Sequence, residues 1–175
     1  RLVDFDDLTN NDFLVTTQFR FQVGEETRIP DLVLLVNGMP LVVIEAKTPT
    51  RACVSWVDGA IQVHGYENDV PELFVPNVFS VATEGKEFRY GSIRMPIELW
   101  GPWRVDGDEN LTPLERVGAA ASSMLTPGTV LDLLANFTTF ANDSKRRRIK
   151  VVARYQQYEG ANRIVERVLA GRSRK

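Results

Sequence analysis

The stretch RIPDLVLLVNGMPLVVIEAK, residues 28–47, contains two apolar runs separated by Asn37-Gly38-Met39-Pro40. Asn-Gly between apolar runs is typical of a tight β-hairpin turn, so residues 31–36 and 41–47 are predicted to be paired strands. Both runs are apolar at consecutive positions, which is typical of strands that are covered on both faces. The hairpin is therefore predicted to lie in the middle of the sheet of an α/β fold, with helices on both sides.

The pattern predicts more strands before and after this hairpin. Residues 13–22 are rich in β-branched and aromatic side chains and predict a strand, whereas residues 55–68 predict a helix. A second hairpin, residues 77–83 and 87–93, is predicted around Glu84-Gly85-Lys86. These elements together form a mixed α/β core.

Beyond Trp100 the pattern becomes mainly helical. Thr112-Pro113-Leu114-Glu115 combines an N-cap threonine, a proline at the first helical position and a glutamate three residues after the cap. Helices are predicted at 112–125, 127–140 and 149–169. The predicted domains are a core at 1–110, a helical extension at 111–148 and a further segment at 149–175.

The candidate chemistry lies at the ends of the first hairpin. Asp31 begins one strand, and Glu45-Ala46-Lys47 ends its partner. Mg²⁺ prefers oxygen ligands, and the two carboxylates with the backbone carbonyl of Ala46 supply three. A bound metal acidifies water and polarises a phosphate, while Lys47 is a compact cation for the attacking water or the developing charge. These residue types therefore predict metal-assisted phosphodiester hydrolysis.

Strand geometry restricts this hypothesis. Glu45 and Lys47 share a face because they are two residues apart, and Asp31 must point to the same face. A regular two-residue turn at Asn37-Gly38 places Asp31 opposite Ile44, which is the wrong face. The metal site therefore requires an odd-length loop or a β-bulge that restores the register.

The same residues also have an ordinary interpretation. A carboxylate-x-Lys triplet at a strand end is common as a solvated ion pair, and the triplet alone does not decide between the two. Gln62 and Tyr66 lie at i and i+4 on one face of the predicted helix, where they could reach a phosphate or simply be helix surface.

Charge, hydropathy and cysteine content restrict the functions and locations that the sequence allows. The 175-residue chain has a formal net charge of −2, so DNA binding would depend on the local placement of charge. No apolar run approaches the ~20 residues of a bilayer span, so no membrane association is expected. The single cysteine, Cys53, fits a reducing cytoplasm, and we expect it to be a small buried residue.

Residues 28–47 closely resemble the nuclease signature of type I restriction enzyme R subunits, an extended form of the PD-(D/E)xK motif. The Asn-Gly-x-Pro-Leu turn is more specific to that family than Glu-x-Lys alone. Gln62 and Tyr66 resemble the QxxxY motif that follows in the family. The similarity resumes at residues 153–158, ARYQQY, which in such subunits lead into the motor.

The resemblance implies a restriction-endonuclease-like core in which Asp31 and Glu45 hold Mg²⁺, or Mn²⁺ in its place, and Lys47 is the catalytic lysine. Gln62 and Tyr66 would support the site or contact DNA. The implied enzyme is a type I site-specific deoxyribonuclease that cuts double-stranded DNA without strong sequence preference. The complete subunit would move DNA with ATP, in a cytoplasmic complex with methylation and specificity subunits.

The chain departs from the family pattern in two places. It contains no G-x-x-x-x-G-K-[ST] phosphate loop, so residues 149–175 would be only the beginning of the motor domain. Gln157 corresponds to an adenine-contacting glutamine of the full-length protein, or equally to a solvated helix residue.

Ile29 stands where arginine is usual, beside Arg28. Nuclease folds of this type often add an acidic residue from an early helix, and neither Glu25 nor Glu26 can be assigned to it.

Two alternatives remain open from the sequence. One is a PD-(D/E)xK nuclease attached to a different DNA-processing motor. The other is a catalytically silent module that binds DNA or docks onto partners. The intact Asp31, Glu45 and Lys47 argue against permanent inactivity, although not against dependence on the motor.

Overall fold

A computed structural model of the chain describes residues 2–50, 53–142, 146 and 148–171. Within these ranges the regular elements are ten strands and four α-helices. The strands are β1 (Phe13–Thr17), β2 (Phe21–Val23), β3 (Glu26–Arg28), β4 (Leu32–Val36), β5 (Met39–Ala46), β6 (Phe79–Thr83), β7 (Phe88–Gly91), β8 (Gly101–Pro102), β9 (Thr138–Asn142) and β10 (Arg148–Val152). The helices are α1 (Trp56–Asp69), α2 (Pro113–Met124), α3 (Pro127–Asn136) and α4 (Tyr155–Leu169).

A mixed sheet forms the centre of the molecule. In the described residues it has six strands in the order β1-β4-β5-β6-β7-β8, and β5 and β6 are its parallel pair. The hairpin β4–β5 therefore lies inside the sheet, as its apolar pattern predicts. The smaller pairs β2–β3 and β9–β10 form two separate ribbons.

Helices cover both faces of this sheet. On one face, α1 packs its apolar residues, among them Ala60 and Val63, against Val33 and Val43. On the other face, residues of α2 and α3 pack against the sheet in a second apolar cluster. The predicted α/β class with a mixed central sheet flanked by helices is confirmed, and this architecture is compatible with a nuclease-like fold. The PD-(D/E)xK assignment itself remains a prediction.

Local capping defines where the helices begin. Thr112 and Glu115 form a capping box at the start of α2, with Pro113 at the first helical position, as predicted. Ser55 and Asp58 form a second capping box at the start of α1. This box fixes the first turn of the helix that crosses above the carboxylates.

Four expectations were wrong. The helix predicted over 127–140 ends at Asn136, because Thr138–Asn142 form β9. The helix predicted from residue 149 begins at Tyr155, because Arg148–Val152 form β10, which pairs with β9. The β-branched Ile149, Val151 and Val152 favour this extended form. The strand predicted over 13–22 is interrupted at Gln18, whose φ is +51°. Cys53 is exposed, not buried.

Among the described residues, no single helix is both long enough and apolar enough to cross a membrane. Taken together, α2 and α3 reach the required length and composition, but they are bent by 63° at the break between them.

Candidate active site at one edge of the sheet

The register of the β4–β5 hairpin changes within the hairpin. Asn37 and Gly38 form a two-residue turn with φ values of +51° and +78°, which pairs Val36 with Met39 and Leu35 with Pro40. Leu41 is then left over, and the next pairs are Leu34 with Val42 and Leu32 with Ile44. This is the β-bulge that the metal-site hypothesis requires, and it confirms that alternative over an odd-length loop.

Because of the bulge, Asp31 and Glu45 are opposite each other at the end of the hairpin. The backbone N–H of Asp31 donates to Glu45 Oε1 at 3.4 Å, and the N–H of Ala46 donates to Asp31 Oδ2 at 2.9 Å. Ala46 is thus in direct contact with the acidic pair through its backbone. A metal contact by its carbonyl remains a prediction.

Lys47 joins this pair to helix α1. Its Nζ lies 3.2 Å from Glu45 Oε2 and also donates to Gln62 Oε1. Gln62 Nε2 in turn donates to the hydroxyl of Tyr66, which donates to the carbonyl of Ile29 at 3.5 Å. The structure therefore brings together Asp31, Glu45, Lys47, Gln62 and Tyr66, which are the residues that the sequence singled out.

The electrostatics of the site are set by burial. The side chain of Glu45 is fully buried, and that of Lys47 is 20% exposed. Burial raises the pKa of Glu45, and the negative charge of Asp31 raises it further, while the hydrogen bond from Lys47 lowers it. Burial also raises the pKa of Tyr66 to about 12, so its hydroxyl keeps its proton near neutral pH. Additional positive charge beside Glu45 would stabilise its ionised form.

Gly59 determines how closely α1 approaches the site. A β-carbon at this position would lie 3.1 Å from Ala82 Cβ and 3.5 Å from Glu45 Cβ. The absence of a side chain lets the helix lie directly on β5 and β6. Gln62, nearly one turn further along, can then reach Lys47.

Gln18 is a site residue that the sequence did not indicate. Its Nε2 donates to Asp31 Oδ1 at 3.0 Å, and its backbone N–H donates to the Asp31 carbonyl at 2.8 Å. It lies thirteen residues before Asp31 and reaches it only because β1 pairs with β4. A glutamine just past a strand carries no pattern that would have identified it.

Gln157 has a local role at the start of α4. Its Oε1 accepts from the backbone N–H of Arg154 at 2.8 Å, at the N-terminus of the helix. Its side chain is exposed. The assignment to adenine contact stays a prediction for the longer protein.

The donor set fits a small hard cation. Within the described ranges, no group of three or more His, Cys, Asp or Glu side chains is arranged to hold a metal. Mg²⁺ does not require one, since it commonly binds one or two carboxylates and keeps several waters. Two carboxylates that face each other, one of them fully buried, provide this chemistry.

An α/β fold that brings an acidic pair and a lysine together at the ends of two inner strands is the arrangement expected of a nuclease-like protein. Comparison with known proteins adds the family. The chain matches the family described as type I restriction enzyme R protein N terminus over residues 1–96. It is 32% identical over its whole length to the type I restriction enzyme HindI endonuclease subunit of Haemophilus influenzae. The chain belongs to the type I restriction enzyme R protein family and corresponds to its N-terminal region.

Two further relatives match nearly the whole chain at lower identity. The MjaVIIIP and MjaVIIP endonuclease subunits of Methanocaldococcus jannaschii are each 27% identical over 96% of the chain. The matched region is 17% of the Haemophilus protein and 16% of each Methanocaldococcus protein, so the chain spans about one-sixth of the length of these relatives.

Proposed function

We propose that this chain is the nuclease domain of a type I restriction enzyme and hydrolyses phosphodiester bonds of double-stranded DNA with Mg²⁺. The observation that carries the proposal is that Asp31, Glu45 and Lys47 lie together where the inner strands β4 and β5 meet the end of the sheet. The bulge at Leu41 makes this arrangement possible. Membership of the family, whose relatives are named endonuclease subunits, supports it.

Each residue has a distinct part in the proposed reaction. Asp31 and Glu45 would hold the metal, with the Ala46 carbonyl as a third ligand. When bound, Mg²⁺ would polarise the phosphate and acidify a water. Lys47 would place its ammonium against the developing negative charge. Gln62 and Tyr66 would keep Lys47 in position through their hydrogen bonds.

The remaining functions belong to the longer protein. We infer that the rest of the subunit uses ATP to translocate DNA and that Gln157 contributes to adenine contact there. Methylation and specificity subunits would complete the complex, and the specificity subunit would read sequence. This domain would then cut without strong sequence preference.

The test is nicking of supercoiled plasmid by the chain in Mg²⁺ or Mn²⁺, beside Lys47→Ala and Glu45→Gln. Glu72→Gln is a charge-matched control, because Glu72 is exposed and none of the described hydrogen bonds or ion pairs joins its side chain to the site residues. We expect nicking by the parent and the control, without ATP, and none by the two site variants. Nicking that survives both site substitutions would show that the assignment of the site is wrong.

A catalytically silent module is the second candidate. The observation that favours it is that Lys47 already donates to both Glu45 and Gln62, so its ammonium is engaged before DNA arrives. This candidate predicts DNA binding by the parent without nicking. The same site substitutions would then be tested in the motor-containing subunit, where loss of cleavage would show dependence on the motor.

A further inference from the structure

Arg89 lies in the same row of the sheet as the acidic pair. Glu45 pairs with Ala82 on β6, and Ala82 pairs with Arg89 on β7. Residues directly opposite each other in a ladder point to the same face, so Arg89 is on the face that carries Glu45. Two strand spacings separate β5 from β7, which places the two backbones about 10 Å apart.

The guanidinium of Arg89 is held by two neighbours. Its Cζ lies 5.5 Å from the ring centroid of Trp56, the first residue of α1. Its Nε and Nη2 donate to Glu87 Oε2 at 2.9 and 2.8 Å. Glu87 is nearer than Arg89 to the β6–β7 turn, so the guanidinium leans toward the edge that carries Lys47. The side chain is 27% exposed and is therefore accessible from solvent.

The ion pair with Glu87 does not use the full binding capacity of Arg89. Glu87 is 47% exposed, and an exposed pair of this kind contributes little to stability. The pair uses two of the five N–H donors of the guanidinium, and the fork geometry of arginine suits a phosphate. The cation–π contact with Trp56 restricts the side chain and lowers the entropy lost when an anion binds.

We propose that Arg89 binds a backbone phosphate of the DNA that flanks the scissile phosphate, with Trp56 fixing the direction of its guanidinium. The inference rests on the proposed function, because the acidic pair defines where the scissile phosphate lies. Gly59 of α1 covers Ala82 between the two positions, so the DNA backbone passes along the sheet edge and not over the face.

The surroundings make a single contact measurable. The chain has a formal net charge of −2, and the cleft of about 280 Å³ on the opposite, α2-covered face of the sheet is lined by Lys86 and Arg104 but also by Glu87 and Asp108. Because these charges largely balance, phosphate binding by Arg89 depends on a positioned cation more than on a broad positive field. Removal of Arg89 should consequently remove one resolvable contact.

The experiment measures binding of a short DNA duplex by fluorescence anisotropy over a range of salt concentrations, with Mg²⁺ held constant. All proteins carry Lys47→Ala to prevent cleavage. Arg89→Gln should weaken binding about tenfold and reduce the slope of log K against log[salt] by about 0.9, the value for one phosphate. Arg89→Lys should retain the slope, because the charge remains.

Arg163→Gln is the matched control. Arg163 is an exposed arginine on α4 that is likewise paired with carboxylates, here Asp106 and Glu159. An unchanged slope for Arg89→Gln, an equal fall for Arg163→Gln, or no DNA binding by the chain would each overturn the inference.

Plasmid nicking by proteins with Lys47 intact separates this result from the proposed function. If the parent nicks and Arg89→Gln raises KM without lowering kcat, the nuclease function and the phosphate contact of Arg89 are both supported. If the parent nicks and Arg89→Gln changes neither KM nor the salt slope, the inference fails and the nuclease stands. If the parent does not nick but the slope depends on Arg89, the phosphate contact stands and the autonomous nuclease fails.

Discussion

Asp31 and Glu45 face each other across the end of the β4–β5 hairpin, with the N–H of Asp31 donating to Glu45 Oε1 at 3.4 Å. Both carry carboxylates, and the negative charge of Asp31 adds to burial in raising the pKa of Glu45. Lys47 offsets part of this unfavourable charge. A divalent cation would offset more, so the pair should be a source of metal-dependent stability.

We therefore expect Mg²⁺ to stabilise the folded chain. At a concentration 100 times its Kd, a ligand that binds only the native state contributes about 2.7 kcal/mol. For a domain of this size the Tm should rise by roughly 5–10 °C. Thermal unfolding followed by circular dichroism, with Mg²⁺ and with EDTA, measures this without any cleavage.

Glu45→Gln should remove most of the response, and Glu72→Gln should keep it. A parent whose Tm is the same in Mg²⁺ and in EDTA would contradict a metal site at this pair. A response retained by Glu45→Gln would place the metal elsewhere on the chain.

The hairpin also shows which features of the site can be predicted from the sequence. Asn-Gly predicted the turn, and the need to align Asp31 with Glu45 predicted a correction of register. The choice between a longer loop and a bulge depends on distant contacts. Asn37 donates to the Leu2 carbonyl at 2.8 Å and accepts from the N–H of Asp12 at 2.7 Å, which holds the turn at two residues. The leftover Leu41 is only 2% exposed and packs in the core.

Tertiary contacts account for the main failure as well. The sequence pattern predicts helix at residues 149–152, yet Ser92 Oγ donates to the Lys150 carbonyl at 2.7 Å, and the whole segment pairs with β9. Gln18 reaches Asp31 only through the pairing of β1 with β4, and Arg89 shares a row with Glu45 only through the parallel pairing of β5 with β6. Capping boxes, in contrast, are encoded within four residues, and the one at Thr112 was predicted correctly.

A second prediction concerns two glycines of α1. Gly65→Ala should stabilise the protein by about 0.5–1 kcal/mol, because a glycine in a helix interior is unfavourable relative to alanine and nothing lies within 4 Å of the new methyl group. Gly59→Ala should lose this gain, since its methyl group would lie 3.1 Å from Ala82 Cβ. Urea unfolding compares the two variants.

The two glycine variants should also differ in their rate of nicking. An outward shift of α1 in Gly59→Ala would move Gln62 away from Lys47 and slow nicking roughly tenfold, because small misplacements of catalytic groups slow reactions strongly. Gly65→Ala should nick like the parent. Equal nicking by both variants would show that the close approach of the helix does not position the site.

A third prediction tests the chain of hydrogen bonds behind Lys47. Tyr66→Phe removes the acceptor of Gln62 Nε2 and the donor to the Ile29 carbonyl. With Gln62 less constrained, Lys47 should be less well oriented, and kcat for nicking should fall about tenfold with little change in KM. Single-turnover nicking at saturating protein measures this step.

Tyr90→Phe provides the matched control. Tyr90 is also buried, and its hydroxyl donates to the Ala153 carbonyl at 2.8 Å, on the opposite face of the sheet from the acidic pair. Its loss should lower stability by about 1 kcal/mol, as for a typical buried hydrogen bond, and leave kcat unchanged. If Tyr90→Phe slowed nicking as much as Tyr66→Phe, the effect would be a general consequence of destabilisation.

The last prediction concerns Glu67, a buried carboxyl on α1 with one oxygen that has no hydrogen-bond partner among the described residues. Its other oxygen accepts from the N–H of Arg94 at 2.9 Å. Burial raises the pKa of Glu67 from 4.5 to about 7. Because the folded state binds this proton more tightly than the unfolded state, the contribution to stability is fully present below pH 4.5 and is lost as the pH rises through 7.

Urea unfolding at pH 5 and pH 8 measures this loss, which should be on the order of 2 kcal/mol for this group. Glu67→Gln keeps an acceptor for the Arg94 N–H but cannot ionise, so its stability should change less between the two pH values. The difference between parent and variant isolates Glu67 from all other titrating groups. Parallel pH profiles for the two proteins would mean that Glu67 is ionised in the fold at pH 5, with a cation or water satisfying its unpartnered oxygen.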